Sequence, residues 1–412
     1  MPAAVNTRVR LLAIALVMGL AATLLFAQSR RRPARRATAN HPTAALNAGQ
    51  SSTDDRRNGP GWWPTKETTS RSDYVGPETC VSCHVEKSST LISTPMAVAG
   101  REAIHSPILR AHAKMSVHLG PYDYAITRDE QGSVATTSDG TQTITDRLGW
   151  AFGEGEVGES YLFERKGKFY EARISYYTKI DGLDFSPGRQ VAPSDALLDA
   201  SGILMSETEA RRCFGCHTTA STVDNRFQPY GLIPGLTCEA CHGPGQKHVT
   251  AMKAHDFAAG MRAIFNPAKL APTDSVDFCG ACHRSWWDTT LSDTFGIANL
   301  RFQPYRLENS KCWQKSRGQL TCLVCHDPHQ PLAKAAADYD SACLSCHATS
   351  KQTAGKRVAA AASSAQHLAA ACPVGTRECS NCHMPKYPVP GMHFDFTEHD
   401  IRIVRAGAPY PP

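Results

Sequence analysis

Net charge is nearly absent from the body of this chain. Of its 44 basic and 38 acidic side chains, 11 and 4 fall in residues 1–73, which leaves 33 against 34 from residue 74 onward. A surface so balanced offers no basic face to a phosphate backbone, so nucleic acid is excluded as an expected partner. Hydrophobic periodicity is missing from residues 28–73, which are rich in Arg, Ala, Thr, Ser, Pro and Gly. Such a stretch cannot bury enough apolar surface to fold and reads as a disordered basic linker. Long apolar runs are scarce too. The run LLAIALVMGLAATLLFA (11–27) has 17 residues, at the lower edge of spanning length.

That run follows Arg8 and Arg10 and ends in a small residue, the pattern of a secretory signal cleaved after Ala27. Leu25 fits the A-x-A rule poorly, however, and RRRPARR (30–36) directly behind it opposes export. A retained N-terminal membrane anchor is therefore the alternative. Both readings put the bulk of the chain in the periplasm or otherwise outside the cytoplasm, with membrane association through the N-terminus if the run is kept. The arginine run could touch anionic lipid headgroups. The working domain is expected over 74–405, with 406–412 as a tail.

Cysteine is what the chain has in excess: 16 residues, far above background for 412. Fourteen fall in seven copies of CxxCH: CVSCH (80–84), CFGCH (213–217), CEACH (238–242), CGACH (279–283), CLVCH (322–326), CLSCH (343–347) and CSNCH (379–383). This is the attachment signature of c-type haem. Two thiols one helical turn apart add to the two vinyl groups of one porphyrin, and the next histidine is carried beneath the ring to bind the iron. Structural zinc uses CxxC in pairs, four ligands per ion, and has no use for a histidine in that place. Seven is odd, and the histidine is there every time. A thioredoxin-like dithiol occurs singly, within a βαβ pattern. The expectation is seven covalent haems c. Cys80, Cys83, Cys213, Cys216, Cys238, Cys241, Cys279, Cys282, Cys322, Cys325, Cys343, Cys346, Cys379 and Cys382 would form the thioethers. His84, His217, His242, His283, His326, His347 and His383 would be the proximal ligands. Cys312 and Cys372 remain, a disulfide candidate in an exported protein, with two buried free thiols as the alternative.

The second axial ligand decides function: histidine gives a low-potential carrier, methionine raises the potential, and an open position can bind a substrate. Nine histidines lie outside the motifs and the linker residue His41. His248 follows a Gly-Pro turn in CHGPGQKHV and His329 a proline-bent segment in CHDPHQPL, each suited to a neighbouring haem. His393 and His399 fall in a motif-free tail, and His367 in an Ala-rich run before the last motif. His105, His112 and His118 share a stretch read as helix then turn. His255 is set aside, and Met96 in STPMAVAG is a thioether candidate for an early haem.

These residues resemble the multihaem c-type cytochromes grouped with hydroxylamine oxidoreductase, cytochrome c nitrite reductase and their tetrahaem electron-transfer relatives. YVGPETCVSCH (74–84), LTCEACHGPGQKHV (236–249), LTCLVCHDPHQPL (320–332) and CSNCHMPK with HFDFTEHDI (393–401) carry the likeness, over roughly 74–405. The resemblance implies that His248, His329, His393 and His399 are distal ligands. This chain has Met96 where relatives often carry a histidine, and it has no CxxCK, the signature of the nitrite reductases' catalytic haem. The resemblance therefore implies an electron-transfer member.

The gap from 84 to 213 reads as alternating and β-branched, with turns at Asp-Glu-Gln-Gly, Ser-Asp-Gly and Lys-Gly-Lys. A small antiparallel β insertion is expected over about 120–185. Beyond Cys213 the motifs recur every 21 to 43 residues, too tightly for separate domains. The expected fold is mainly α with much irregular structure, organised around seven packed haems. RFQPY, at 226–230 and 301–305, hints at duplication of a haem-binding unit. The function expected is an extracytoplasmic electron carrier with mostly bis-histidine haems and redox-protein partners, not an enzyme. The alternative is a reductase or oxidase of a small nitrogen or sulfur compound at one open haem, the first, near Arg101 or Lys114. A third reading is an oligomer or a subunit of a membrane complex.

Overall fold

The computed structural model describes residues 70–188, 196–223, 226–291, 296–347, 372, 374–405, 408 and 410. The apolar run at 11–27, the linker as far as residue 69 and His367 lie outside them. Among the described residues no helix is long and apolar enough to cross a membrane.

The expectation of a mainly α fold with a small β insertion is wrong. The first half of the described chain is a nine-stranded antiparallel sheet running from residue 100 to 204. Its main path is a meander of β2 (Lys114–Leu119), β3 (Tyr122–Asp129), β4 (Gly132–Ser138), β5 (Thr143–Phe152), β6 (Glu159–Arg165), β7 (Lys168–Tyr177) and β8 (Gly182–Phe185). β1 (Gly100–Glu102) pairs with β5, and β9 (Gly202–Leu204) with β7. β2 and β8 approach each other, so the sheet is a nearly closed barrel. In β3, Tyr122, Tyr124 and Ile126 alternate inward while Asp123 faces water, the period-two pattern of a half-buried strand. The β6–β7 turn has Lys166 and Gly167 both at positive φ, as a two-residue hairpin of type I′ requires. Inside sit Leu109, Leu148, Tyr161, Phe163, Ile174 and their neighbours.

A register shift between Leu148 and Trp150 re-aims the end of β5. Leu148 and Ala151 feed the barrel core, whereas Trp150 and Phe152 pack outward with Phe169, Phe214 and Phe227. Phe214 belongs to the second CxxCH motif, so this cluster joins the barrel to the rest of the chain. The helix that carries the motif, Glu207–His217, opens with a capping box between Ser206 and Glu209.

Beyond residue 217 the described helices are short. The longest described helix, Pro272–His283, has 12 residues. The RFQPY copies fold differently: Arg226–Phe227 is a strand, whereas Gln303 begins the Gln303–Asn309 helix. Their local structure gives no sign of a duplicated unit.

Candidate haem-binding sites

Each motif is one helical turn. His84 N–H donates to the Cys80 carbonyl at 2.9 Å, and His326 N–H to that of Cys322 at 2.9 Å. Five motif histidines end a helix: His217, His242, His283, His347 and His383. The i, i+3 spacing sets the two sulfurs on one side of the turn.

Histidines far apart in sequence come together as facing pairs. Ring centroids lie 6.3 Å apart for His84 and His248, 6.1 Å for His242 and His329, and 6.4 Å for His326 and His399. Two imidazoles bonded end-on to one metal set their centroids roughly 6 Å apart, given a metal–nitrogen bond of about 2 Å on each side. In all three pairs one member is a motif histidine and the other a distal candidate.

In several of these rings the second nitrogen is held. Nδ1 of His242 lies 2.8 Å from the Phe265 carbonyl, that of His248 2.8 Å from Gly260, and that of His399 3.0 Å from Thr397. Outside the pairs, His217 does the same with Ala99 at 2.8 Å and His383 with Arg402 at 2.9 Å. A ring donating from Nδ1 keeps Nε2 as a bare lone pair, the tautomer a metal needs. Burial favours the neutral form as well. It pulls His242, His283 and His326 down and takes His399 to about 4. Among the described residues no three His, Cys, Asp or Glu converge as a tetrahedral zinc site requires. The donor set fits haem c: paired imidazoles at iron-spanning distance, with two sulfurs beside one of each pair. Val81, Val85, Leu323 and Val324, exposed beside the first and fifth motifs, are apolar surface that a porphyrin would cover.

The motifs also touch one another. The turns carrying motifs one and three, four and five, and six and seven pack together. Cys216 Sγ reaches the Ala281 carbonyl at 3.6 Å. Burial, then the neighbouring Cys279, pushes the Cys241 thiol up to about 12. In motif order this links one to three, three to four, four to five, two to four and six to seven. The His326 ring meets Tyr339 edge-on, centroids 5.7 Å apart, just before the Asp340–His347 helix, which joins five to six.

Several contacts behind this arrangement escaped sequence reasoning. Glu239, between the cysteines of the third motif, is buried and accepts N–H groups from Val75, Gly76 and Gly245 at 2.8–2.9 Å. It ties the entry to motif one to the Gly-Pro turn before His248. Asp340 accepts the N–H groups of Glu378 and Cys379 at 2.7 and 2.9 Å, which joins motifs six and seven. The signal for Asp340 was its place as an acidic residue opening a helix; Glu239 had none. Phe152 lies against the His217 ring, centroids 4.7 Å apart and planes 9° apart.

The other distal candidates stand elsewhere. His112 has both nitrogens engaged, with Ile108 O at 2.9 Å and Asp181 at 3.3 Å. His118 lies on β2 against Asp123 at 2.8 Å, and His105 is 3.7 Å from Glu102 at the surface. His393 directs Nε2 to Asp184 at 2.7 Å and packs on Tyr177. His255 is exposed in a left-handed turn. The Met96 carbonyl accepts the Leu236 N–H at 3.0 Å. Arg101 lies in β1, with its guanidinium 2.7 Å from the Val98 carbonyl, and Lys114 begins β2. Cys312 is half-buried and Cys372 exposed.

Residues 191–243, which hold the second and third motifs, match the family described as cytochrome c554 and c-prime. The chain is similar to multihaem c-type cytochromes. It is 26% identical over 180 residues to the multiheme cytochrome MtrA of Shewanella baltica (strain OS185), covering 34% of this chain and 53% of that protein. It thus spans about half the length of the curated relative it matches. Among solved structures, the outer cell wall cytochrome OcwA aligns with 51% of this chain and 37% of its own at 18% identity and a TM-score of 0.30. At that score it fixes neither fold nor function. The family match and the MtrA likeness support haem c as the cofactor.

Proposed function

We propose that the protein is a heptahaem electron carrier, seated outside the cytoplasm and passing electrons between redox-protein partners. Haem c, once bound, would supply one-electron ferric–ferrous chemistry at each motif. The observation that carries the reading is the linkage of all seven motifs into one connected set, by facing imidazoles and by packing between the motif helices.

The chain's residues have definite tasks in it. His84 and His248, His242 and His329, and His326 and His399 would clamp one iron each. Carbonyl groups of Phe265, Gly260 and Thr397 hold those rings in the ligating tautomer. Glu239 and Asp340 fix neighbouring motifs to each other, so that spacing between redox centres does not drift. The connections end at motifs one, two and seven, which makes these the exits to partners. The CHGPG, CHDPH and CHMPK contexts support a place among the electron-transfer members of the hydroxylamine oxidoreductase and nitrite reductase superfamily. Arg8, Arg10 and the run at 11–27 support export, by cleaved signal or retained anchor.

The test is a haem count and a reductive titration on protein matured with covalent haem. Seven haems per chain, all reducible from one electron donor through one exposed site, are expected. Fewer haems, or a fraction that stays oxidised while its neighbours are reduced, would defeat the reading.

A further inference from the structure

The helix Phe257–Arg262 turns two large apolar side chains to water: Phe257 is 56% exposed and Met261 66%. They stand four residues apart and so share one face of the helix. The buried side of the same helix backs onto a candidate ligand. The Gly260 carbonyl lies 2.8 Å from Nδ1 of His248, whose ring faces His84. A Cβ on Gly260 would stand 2.6 Å from the Met252 sulfur, so this helix sits hard against Gln246–Lys253, the helix that carries His248. One residue therefore separates an exposed apolar side chain, Met261, from the peptide that holds the His248 ring.

The charge along this stretch is one-sided. Residues 246–270 carry Lys247, Lys253, Arg262 and Lys269, all exposed, against one acidic residue, Asp256. The Asp256 carboxylate is turned to its own chain, where it caps the helix by accepting the Ala259 N–H at 2.9 Å. Without these five residues, the 33 basic and 34 acidic side chains of the body become 29 and 33. An apolar centre with charge of one sign about it is the anatomy of a protein-docking patch. Basic charge there steers an acidic partner into place. A bilayer is a poorer match, because a helix of six residues with two apolar anchors lacks the continuous apolar face that an interfacial helix buries.

We propose that Phe257 and Met261, with Lys247, Lys253 and Arg262, form the docking surface for an acidic redox protein that exchanges electrons with the centre held by His84 and His248. The inference rests on the electron-carrier reading and names which of its exits takes an acidic partner.

The test uses the full chain with covalent haem. Dithionite, a small reductant that needs no docking surface, is added first; centres that it fails to reduce strike the carrier reading itself. Reduced flavodoxin, an acidic one-electron donor, is then mixed with the oxidised protein by stopped flow. Its second-order rate should fall as salt rises. Lys253→Glu with Arg262→Glu should slow the reaction at low salt by about tenfold or more. Lys166→Glu with Lys168→Glu, the same change of charge at exposed positions at the β6–β7 turn, should leave it unaltered. Phe257→Ala with Met261→Ala should raise the flavodoxin concentration at which the rate saturates. An unchanged rate in the Lys253 and Arg262 variant overturns the proposal, and so does equal slowing by both charge reversals. It falls as well if the Phe257 and Met261 variant alters the EPR signal of one centre while docking stays intact, since the porphyrin would then be covering the pair. Phosphatidylglycerol vesicles supply the last arm: binding that needs Lys253 and Arg262, with flavodoxin indifferent to them, would give the face to a membrane instead.

Discussion

His242 and His329 face each other with ring centroids 6.1 Å apart and planes 17° apart, although 86 residues of chain separate them. Their neighbours hold them there: Nδ1 of His242 meets the Phe265 carbonyl, and Nδ1 of His329 lies 2.9 Å from Asp327. Replacing His329 with methionine should convert one centre from two imidazoles to imidazole and thioether. Its potential should rise while the other centres keep theirs. Protein-film voltammetry of wild type and His329→Met is the check. An unchanged set of potentials would mean that these two rings do not share an iron.

Glu239 is 1% exposed and accepts three backbone N–H groups. Hydrogen bonds to a buried carboxylate are charge-assisted and stronger than neutral ones. Glu239→Ala would leave those donors without their acceptor, at a cost of about 2–5 kcal/mol. Because Val75 and Gly76 lead into motif one and Gly245 into the segment bearing His248, the His84–His248 pairing should loosen too. Thermal unfolding and EPR would follow the two effects. A large loss of stability with every centre still low-spin would show that the clamp supports the fold without setting the pair.

What was legible in the sequence has physical causes. That His248 and His329 would stand near another motif was legible, because a Gly-Pro or Asp-Pro turn beside a motif leaves a short segment with one direction to go. Which motif each would face was not, since a pairing between residues 84 and 248 leaves no periodic trace. The barrel was underestimated at its edges. KMSVHL (114–119) alternates, with Met115 buried and Lys114, Ser116 and His118 exposed, yet it was read as part of a helix and turn. Strands β1 and β9 have three residues each, too few for a two-residue period to show. In the tail, His393 and His399 looked alike; only the fold sets one against Asp184 and the other against His326.

Gly100 is where the barrel meets the second motif. It pairs with Phe152 across β1 and β5, and a Cβ there would stand 2.5 Å from the His217 carbonyl oxygen. The contact is backbone to backbone, so neither side can rotate away. Gly100→Ala should cost about 1–3 kcal/mol, and the displaced strand would carry Ala99 O away from His217 Nδ1. The unfolding temperature should fall and the absorption of one centre should change. An alanine variant as stable as wild type would mean that the sheet and motif helix separate easily.

Glu308 provides a pH test independent of the metal centres' own ligands. It is 4% exposed on the Gln303–Asn309 helix, and burial, followed by the carboxylate of Asp277, pushes it up to about 8. A glutamate in the unfolded chain titrates near 4.3. The folded protein therefore keeps a proton that the unfolded chain has already released. The group's contribution to stability is full below about pH 4 and is lost as pH rises through about 8. Glu308→Gln carries no such proton. Unfolding temperatures measured from pH 5 to pH 9 should fall more steeply for wild type than for the variant. The variant's advantage at pH 9 should be on the order of a few kcal/mol. Parallel curves would show that Glu308 is already ionised in the folded protein at pH 5, and that its charge is balanced by a partner close to it.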